Sequence, residues 1–341
     1  MNTIVILTAL FLEQEAVVNS YLSNLHAEEH PETKTQYKVG SYISKGTEIQ
    51  VIVGRTNQTN VNAGIETERI INLYKPSHIF FVGVAGGLKD VKIGDLVIGA
   101  DVYGFERGKA EEIFKPRPKF GFSSYELEMK ALDFSATSTW LSTTSSIIQP
   151  EFAEKISVYS GTIASGEKVD ASLESDLHKF LKIHCSHALA VEMEGLGFLE
   201  ACRHYPHIKS LLLRGISDLV EEKETADKKG SQPYASQNVS AFLFGLIDYL
   251  DIGYYVASSS RKDILFEIAT KLYPGGIRDN GIWERAGGDL SQVHLFSTGK
   301  AQWIEALRLI EHGGGGDIDF DTLIKQMKID NPRNVSLKTI N

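Results

Sequence analysis

Short runs of β-branched and aliphatic residues alternate with amphipathic stretches along the first 250 residues. Runs rich in Val, Ile and Leu, bounded by Gly or polar residues, predict strands at 4–7, 49–53, 78–82, 95–100, 158–164, 189–191 and 210–215. Apolar residues at three- and four-residue spacing predict helices at 13–25, 62–74, 172–182, 195–204 and 236–250. This alternation is typical of an α/β sheet covered by helices.

The pattern changes after residue 252. Residues 253–260, Gly-Tyr-Tyr-Val-Ala-Ser-Ser-Ser, predict a linker. From 261 to 341 the apolar residues, among them Leu265, Ala269, Trp303 and Leu307, fall on helical faces with no strand run between them. The sequence therefore predicts an α/β domain at 1–252, a linker at 253–260 and a small all-α domain at 261–341.

The charge and cysteine content of the chain bear on its binding partners and its cellular compartment. Of the 341 residues, 35 are Lys or Arg and 44 are Asp or Glu, for a net charge of -9. Residues 261–341 hold eleven of each sign, so the excess of acid lies before them. This balance disfavours nucleic acid and anionic membranes as partners, and no apolar run reaches the roughly 20 residues that span a bilayer. Only Cys185 and Cys202 are present, which favours a reducing compartment and a cytoplasmic protein.

Acidic residues follow several of the predicted strands. Glu192 and Glu194 flank Met193 after the strand at 189–191, and Asp218 follows Ser217 after the strand at 210–215. Glu13 comes after the first strand. Because strand ends in open α/β sheets face the ligand crevice, we interpret these acids as parts of one site. A solvated acidic turn is the alternative.

Glycines mark the end of the predicted strand at 78–82. Gly83, Gly86 and Gly87 surround Val84 and Ala85. Glycine at such a point allows a ligand to approach the backbone closely or permits a positive φ. For the glycines alone an ordinary tight turn is the favoured interpretation, so this segment by itself does not identify a binding site.

Four motifs in a fixed order carry a family resemblance: Thr8-Ala9-Leu10 with Glu13, residues 83–88 with Gly94-Asp95, residues 191–195, and residues 214–218. Together they resemble the purine nucleoside phosphorylase superfamily, and the branch most similar in pattern is that of the methylthioadenosine/S-adenosylhomocysteine nucleosidases. The resemblance implies a three-layer α/β/α domain with a mixed central sheet, a homo-oligomer formed through that domain, and cleavage of a purine–ribose bond without a metal or other cofactor.

The resemblance also implies roles for individual residues. Asp218 would protonate N7 of the purine, Ser217 would orient that acid, and Glu13 would act as the base on water. Glu194 would bind the ribose hydroxyls beside Met193. The remaining residues expected to contact substrate are Ala85, Gly86, Glu167, Lys168, Val169, Glu192 and Arg214.

Two departures from the family pattern concern specificity. Val84 stands where the nucleosidases usually have Ser, and Val169 stands where they usually have the aromatic residue that stacks on the purine. The first change removes a hydroxyl that could contact water or an anion. The second leaves the choice of base open.

A cationic segment follows the strand at 95–100. Five cations there could bind substrate phosphates, which suggests a nucleotide such as ATP. A solvated loop balanced by Glu106, Glu111 and Glu112 is the alternative. The five cations are Arg107, Lys109, Lys115, Arg117 and Lys119.

The C-terminal domain resembles the effector-associated domain of bacterial conflict systems, through Leu272-Tyr273-Pro274, the helix at 303–307 and Asn331-Pro332. Such a domain implies pairing with a similar domain on a partner protein. The combined prediction is an adenine nucleosidase acting on a nucleotide such as ATP, as an effector in antiphage defence. Two alternatives stay open: a housekeeping methylthioadenosine/S-adenosylhomocysteine nucleosidase or nucleoside phosphorylase, and an inactive purine-binding sensor that signals through the tail.

Overall fold

The computed structural model describes residues 2–112, 114–137, 139–141, 156–168, 172–220, 230–250, 252, 261–334, 336–337 and 340. The chain divides into two compact units, Met1–Gly253 and Tyr254–Asn341. Within the described ranges, none of the helices combines the length and the apolar character needed to cross a membrane. The predicted linker at 253–260 lies outside the described residues.

The first unit is built from twelve strands and six helices in its described residues. The strands are β1 Asn2–Thr8, β2 Ser23–Glu29, β3 Gln36–Ser44, β4 Thr47–Arg55, β5 His78–Gly87, β6 Leu96–Gly104, β7 Gly108–Lys109, β8 Lys115–Pro116, β9 Lys119–Phe122, β10 Val158–Ser165, β11 Ala190–Glu192 and β12 Lys209–Asp218. The helices are α1 Phe11–Tyr21, α2 Asn60–Tyr74, α3 Tyr125–Thr137, α4 Asp176–His184, α5 Gly195–Cys202 and α6 Ser231–Leu250.

One mixed sheet runs through the unit in the order β11-β10-β6-β12-β5-β1-β4-β3-β2, and β9 pairs with β6. The central pairs β4–β1, β1–β5 and β5–β12 are parallel, whereas β12–β6 is antiparallel. Strand β11 also pairs antiparallel with β5, which closes β5, β12, β6, β10 and β11 into a ring. The carboxyl ends of β1, β5 and β12 therefore lie at one edge, as expected for parallel neighbours.

Helices cover both faces of the sheet. Along β1, Ile4 and Ile6 pack into one apolar cluster while Val5 and Leu7 pack into another, following the two-residue period of a strand. The first cluster includes residues of α1, α3 and α6, and the second includes residues of α2 and α5. The predicted three-layer α/β/α arrangement with a mixed sheet is confirmed.

Three features of the first unit differ from the prediction. The helix predicted at 13–25 ends at Tyr21, and Ser23 begins the edge strand β2, most of whose residues are exposed. Strands β3, β7, β8 and β9 and helix α3 were not predicted. The glycines at 83–87 do not form a tight turn, because they continue strand β5 and none of them has a positive φ.

The second unit is helical in its described residues, as predicted. Two buried tryptophans, Trp283 and Trp303, and the buried Tyr273 lie at its apolar core. An isolated bridge between Gly288 and Gly316 is its only β pairing among those residues. The helices are α7 Arg261–Leu272, α8 Ile282–Arg285, α9 Gly299–Glu311 and α10 Phe320–Asp330, with short 3-10 turns at Asp279–Gly281 and Leu290–Gln292.

Candidate active site

A buried arginine organises the charged interior of the first unit. Arg214 on β12 is 1% exposed, and its Nη2 lies 2.6 Å from a carboxylate oxygen of Glu192 and 3.5 Å from one of Glu194. Its guanidinium carbon lies 4.6 Å from the centre of the Phe81 ring. Because a buried ion without a partner is strongly destabilising, this cation and its carboxylates hold one another in place.

Glu13 lies in the first turn of α1 and is also buried. One carboxylate oxygen accepts hydrogen bonds from the Ala9 and Leu10 N–H groups, and the other accepts one from Val84, each at 2.8 Å. Burial raises the pKa of Glu13, while Arg214 and the three N–H groups oppose that rise. A Cβ at Gly83 would lie 2.7 Å from a Glu13 oxygen, so glycine there leaves room for the carboxylate.

Glu192 and Glu194 stand at the N-terminus of α5 with different partners. Glu192 accepts hydrogen bonds from the N–H groups of Glu194 and Gly195, in addition to its ion pair with Arg214. Glu194 accepts one from the Thr59 N–H at 3.1 Å. Burial, together with the neighbouring Glu192, raises the pKa of Glu194 to about 8, against the effect of Arg214.

Asp218 ends strand β12, where the register against β5 shifts between Ile216 and Asp218. Its Oδ2 lies 2.9 Å from the Ser217 hydroxyl, and its Oδ1 accepts a hydrogen bond from the Val220 N–H at 3.1 Å. Opposite it, a Cβ at Gly86 would lie 3.2 Å from Oδ1. The aspartate is therefore held by its own strand end and approached closely by β5.

The four carboxyl side chains described above, Glu13, Glu192, Glu194 and Asp218, line a single cavity of about 170 Å³. It brings together the predicted Glu13, Glu194 and Asp218, whereas the buried Arg214 and the exposed Glu167 are not among the lining residues. Val169 lies outside the described residues. The lining residues are Ala9, Leu10, Glu13, Gln58, Val84, Ala85, Gly86, Lys168, Val191, Glu192, Met193, Glu194, Ser217, Asp218 and Gln232.

Among the residues that the structure describes, no group of three His, Cys, Asp or Glu side chains is arranged to hold a metal.

The cationic segment does not reach this cavity. None of its five members, Arg107, Lys109, Lys115, Arg117 and Lys119, is among the lining residues. Lys109 and Lys115 pair with Glu111, and Lys119 pairs with Glu200. In this structure the segment matches the alternative of a surface loop balanced by acids, and the cation at the cavity is Lys168, whose Nζ lies 3.9 Å from Glu106.

Several lining residues were not predicted. Gln58 and the neighbouring Thr59 follow β4, which is the parallel neighbour of the strand that precedes Glu13. The strand-end argument applied to the acids would have found this turn as well. Gln232 lies in the first turn of α6, which begins at Ser231, five residues before the predicted helix, so sequence periodicity gave no signal for it.

Comparison with known proteins agrees with this fold. The family model of the phosphorylase superfamily matches residues 3–248. The chain belongs to this superfamily. A 5'-methylthioadenosine/S-adenosylhomocysteine nucleosidase of Staphylococcus haemolyticus is 26% identical to it over 211 residues, covering 61% of this chain and 86% of that protein.

Solved structures share the fold of this superfamily member. The 5'-methylthioadenosine/S-adenosylhomocysteine nucleosidase of Neisseria meningitidis, in complex with methylthio-immucillin-A, matches with a TM-score of 0.57 and 21% identity. A futalosine hydrolase mutant of Helicobacter pylori matches with a TM-score of 0.57 and 23% identity. Each match covers 73% of this chain and 99% of the other.

Proposed function

We propose that this superfamily member is a purine nucleosidase that hydrolyses the N-glycosidic bond. The observation that carries the proposal is the single cavity on which Glu13, Glu194 and Asp218 converge. Cleavage of that bond needs an acid at the leaving base, a nucleophile at C1′ and negative charge near a sugar that becomes positive in the transition state. Three carboxyls in one cavity can divide this work.

Asp218 is the proposed acid for N7 of the purine. The Ser217 hydroxyl, 2.9 Å from Oδ2, and the Val220 N–H on Oδ1 fix the orientation of its carboxyl group. Protonation turns the departing purine into a neutral leaving group. Because Gly86 carries no side chain, the purine can approach this carboxyl from the β5 side.

Glu13 is the proposed base for the attacking water, and Glu194 is the proposed acceptor for the ribose hydroxyls. The backbone N–H groups that hold Glu13 fix both of its oxygens at the cavity wall. Both carboxylates also stabilise positive charge at C1′, and this electrostatic contribution is largest in a site that excludes water.

Water is a better nucleophile than phosphate for this cavity. Its described lining carries four carboxyls, Glu13, Glu192, Glu194 and Asp218, against one cation, Lys168. An inorganic phosphate would be repelled by these acids, and Arg214 is already paired with Glu192. Val84 offers no hydroxyl to an anion.

The relatives favour a purine nucleoside with a neutral 5′ substituent, such as methylthioadenosine, as the substrate. ATP is the second candidate, and the observation that favours it is the position of Lys168 on the cavity wall. A lysine there provides a point charge for a phosphate or another anionic group.

A substrate panel tests the proposal. Purified protein is incubated with adenosine, methylthioadenosine, S-adenosylhomocysteine, AMP, ATP and the guanine counterparts, with and without inorganic phosphate, and free base is measured by chromatography. We expect release of base without phosphate, with free ribose or its 5′ derivative as the other product. Strict phosphate dependence with ribose 1-phosphate as product would indicate a phosphorylase, and no release from any compound would favour the inactive sensor.

The second unit lies beyond the residues that the family model matches, and we propose that it recruits a partner carrying a similar domain. The basis for this role, and for an effector function in antiphage defence, is the resemblance to effector-associated domains inferred from its sequence. A pull-down with the full chain should capture a protein bearing such a domain from its own cells. Normal phage protection by a protein without this unit would contradict the effector role.

A further inference from the structure

The turn between β4 and α2 has an unusual backbone. Thr59 has φ 93° and ψ 148°, and Asn57 has φ 61°. Asparagine tolerates the left-handed region, but a β-branched residue at positive φ is a genuine outlier that persists only when its surroundings impose it. Such strain at the edge of an active site suggests a functional reason.

The Thr59 conformation directs a backbone donor to the site. The Thr59 N–H donates to Oε1 of Glu194 at 3.1 Å, and the preceding Gln58 lines the cavity. Apart from Arg214, 3.5 Å away, this N–H is the only hydrogen-bond donor to the Glu194 carboxylate among the described residues. The turn therefore determines where that carboxylate stands.

The Asn60 side chain holds the turn in place. Its Oδ1 accepts hydrogen bonds from the Gly197 N–H at 2.9 Å and the Ser165 hydroxyl at 3.0 Å, and its Nδ2 donates to the Gly166 carbonyl at 3.3 Å. A Cβ at Gly197 would lie 1.9 Å from the Asn60 carbonyl oxygen. The beginning of α2 is thus bound to α5 and to the end of β10.

We propose that Asn60 is a positioning residue, which ties α2 to α5 and β10 so that the Thr59 N–H stays on the Glu194 carboxylate. The consequence for ribose binding rests on the proposed function of Glu194. The effect of the Thr59 N–H on the position and ionisation of the Glu194 carboxylate does not depend on the proposed function, because it follows from the hydrogen bonds alone.

Four groups face the Glu194 carboxylate and set its ionisation. Burial, Glu192 and Glu13 favour the neutral form, whereas Arg214 and the Thr59 N–H favour the ion. Replacing Asn60, whose side chain holds the turn that contains Thr59, should therefore raise the pKa of Glu194 further. A carboxylate that loses one backbone donor is expected to shift by about 0.5 to 1 pH unit.

The first measurement is a titration that needs no substrate. Full-length protein labelled with ¹³C at the glutamate carboxyl is titrated by NMR, and the Glu194 resonance is assigned by its loss in Glu194→Gln. We expect Asn60→Ala to move the Glu194 midpoint upward by about 0.5 to 1 unit. Asn72→Ala, an exposed asparagine on the same helix, is the matched control and should leave the midpoint unchanged.

The second measurement compares a purine ribonucleoside with its 2′-deoxy counterpart. Asn60→Ala should lower the ratio of their kcat/KM values about three- to tenfold, because a displaced carboxylate distinguishes the hydroxyl less well. If Asn60→Ala does not fold, Ser165→Ala removes one of the Asn60 hydrogen bonds and should give a smaller shift in the same direction.

The two measurements separate the possible failures. A shifted Glu194 midpoint in Asn60→Ala, found together with a wild-type protein that cleaves no nucleoside, would support the positioning role and overturn the proposed function. An unchanged midpoint and an unchanged ratio in an active, folded Asn60→Ala protein would overturn the positioning role alone.

Discussion

The two units differ in what they bury. The first encloses Glu13, Glu192, Glu194, Arg214 and Asp218, each 5% exposed or less. In the second, no polar or charged side chain of the described residues is buried to that degree, and its ion pairs, such as Arg285–Asp330, have solvent-exposed members. Burying charged side chains costs free energy, so packing alone does not explain why the first unit encloses five of them. This difference indicates that the active site lies in the first unit.

Replacing the proposed acid should have the largest effect. Asp218→Asn keeps the shape of the side chain but removes the proton that is donated to the purine, so the rate should fall by about two to four decades. Steady-state release of free base measures it. Asp90→Asn, at an exposed position with φ 58° that asparagine also tolerates, is the control. If Asp218→Asn releases base at a rate within twofold of wild type, Asp218 is not the general acid.

Removing the central cation should cost the first unit much of its stability. Arg214→Met removes the positive charge that faces three buried carboxylates, and we expect a loss of about 3 to 5 kcal/mol in the free energy of unfolding. Arg203→Met removes an exposed arginine 3.9 Å from Glu200 and should cost about 0.5 kcal/mol or less. Denaturant unfolding compares the two. Equal losses would mean that the buried cluster does not stabilise the fold as described.

The pH dependence should separate activity from stability. The pKa of Glu194 is raised from 4.5 to about 8, so the ionised fraction, and with it kcat/KM, should rise about tenfold per pH unit below that value. Stability changes in the opposite direction. Because the folded-state pKa exceeds the unfolded one, the contribution of this group is complete below 4.5 and is lost as pH rises through about 8.

Profiles of kcat/KM and of thermal unfolding, recorded for wild type and Glu194→Gln, test this pair of trends. In Glu194→Gln, kcat/KM and thermal unfolding should each lose the part of their pH dependence that the Glu194 carboxyl causes. Identical profiles in the two proteins would show that other groups control both.

Deleting the second unit should have the smallest effect on chemistry. All the described residues that line the cavity belong to the first unit. Ile252 is fully buried with the first unit's core, so a chain ending at Gly253 is a better test than one ending at Leu250. We expect its kcat/KM to stay within about twofold of the full chain, with Trp303→Ala in the full chain as the companion variant. A tenfold loss in both proteins would mean that the second unit contributes to activity.

Strong, local patterns in the sequence predicted most of the fold and the acids of the site. The strand at 4–7 and the strand at 78–82 were found because central strands are rich in Val, Ile and Phe. The first three residues of edge strand β2 were assigned to a helix and the rest of the strand was not predicted, because its residues are mostly exposed and polar and show no alternation of apolar and polar positions. Pairing between distant segments, such as Glu13 with the Val84 N–H, is set by the register of β1 and β5 and has no local signal.

The position of the cationic segment was the least predictable part of the site. Charge alone does not indicate which way a loop projects, and its lysines found acidic partners at Glu111 and Glu200 instead of facing the cavity. The Thr59 conformation was equally hidden, because it depends on the close contact between Asn60 and Gly197 across two helices.

The closed ring of strands in the first unit has a consequence for self-association. Because β5, β12, β6, β10 and β11 pair with one another, the described sheet has unpaired strand edges mainly at β2 and at the four-residue β9. Strand β2 carries Glu28 and Glu29, and charges on an edge discourage pairing with a strand of another molecule. The protein should therefore resist the growth of intermolecular β-sheet at high concentration, and any contact between copies of this unit should use helices and loops.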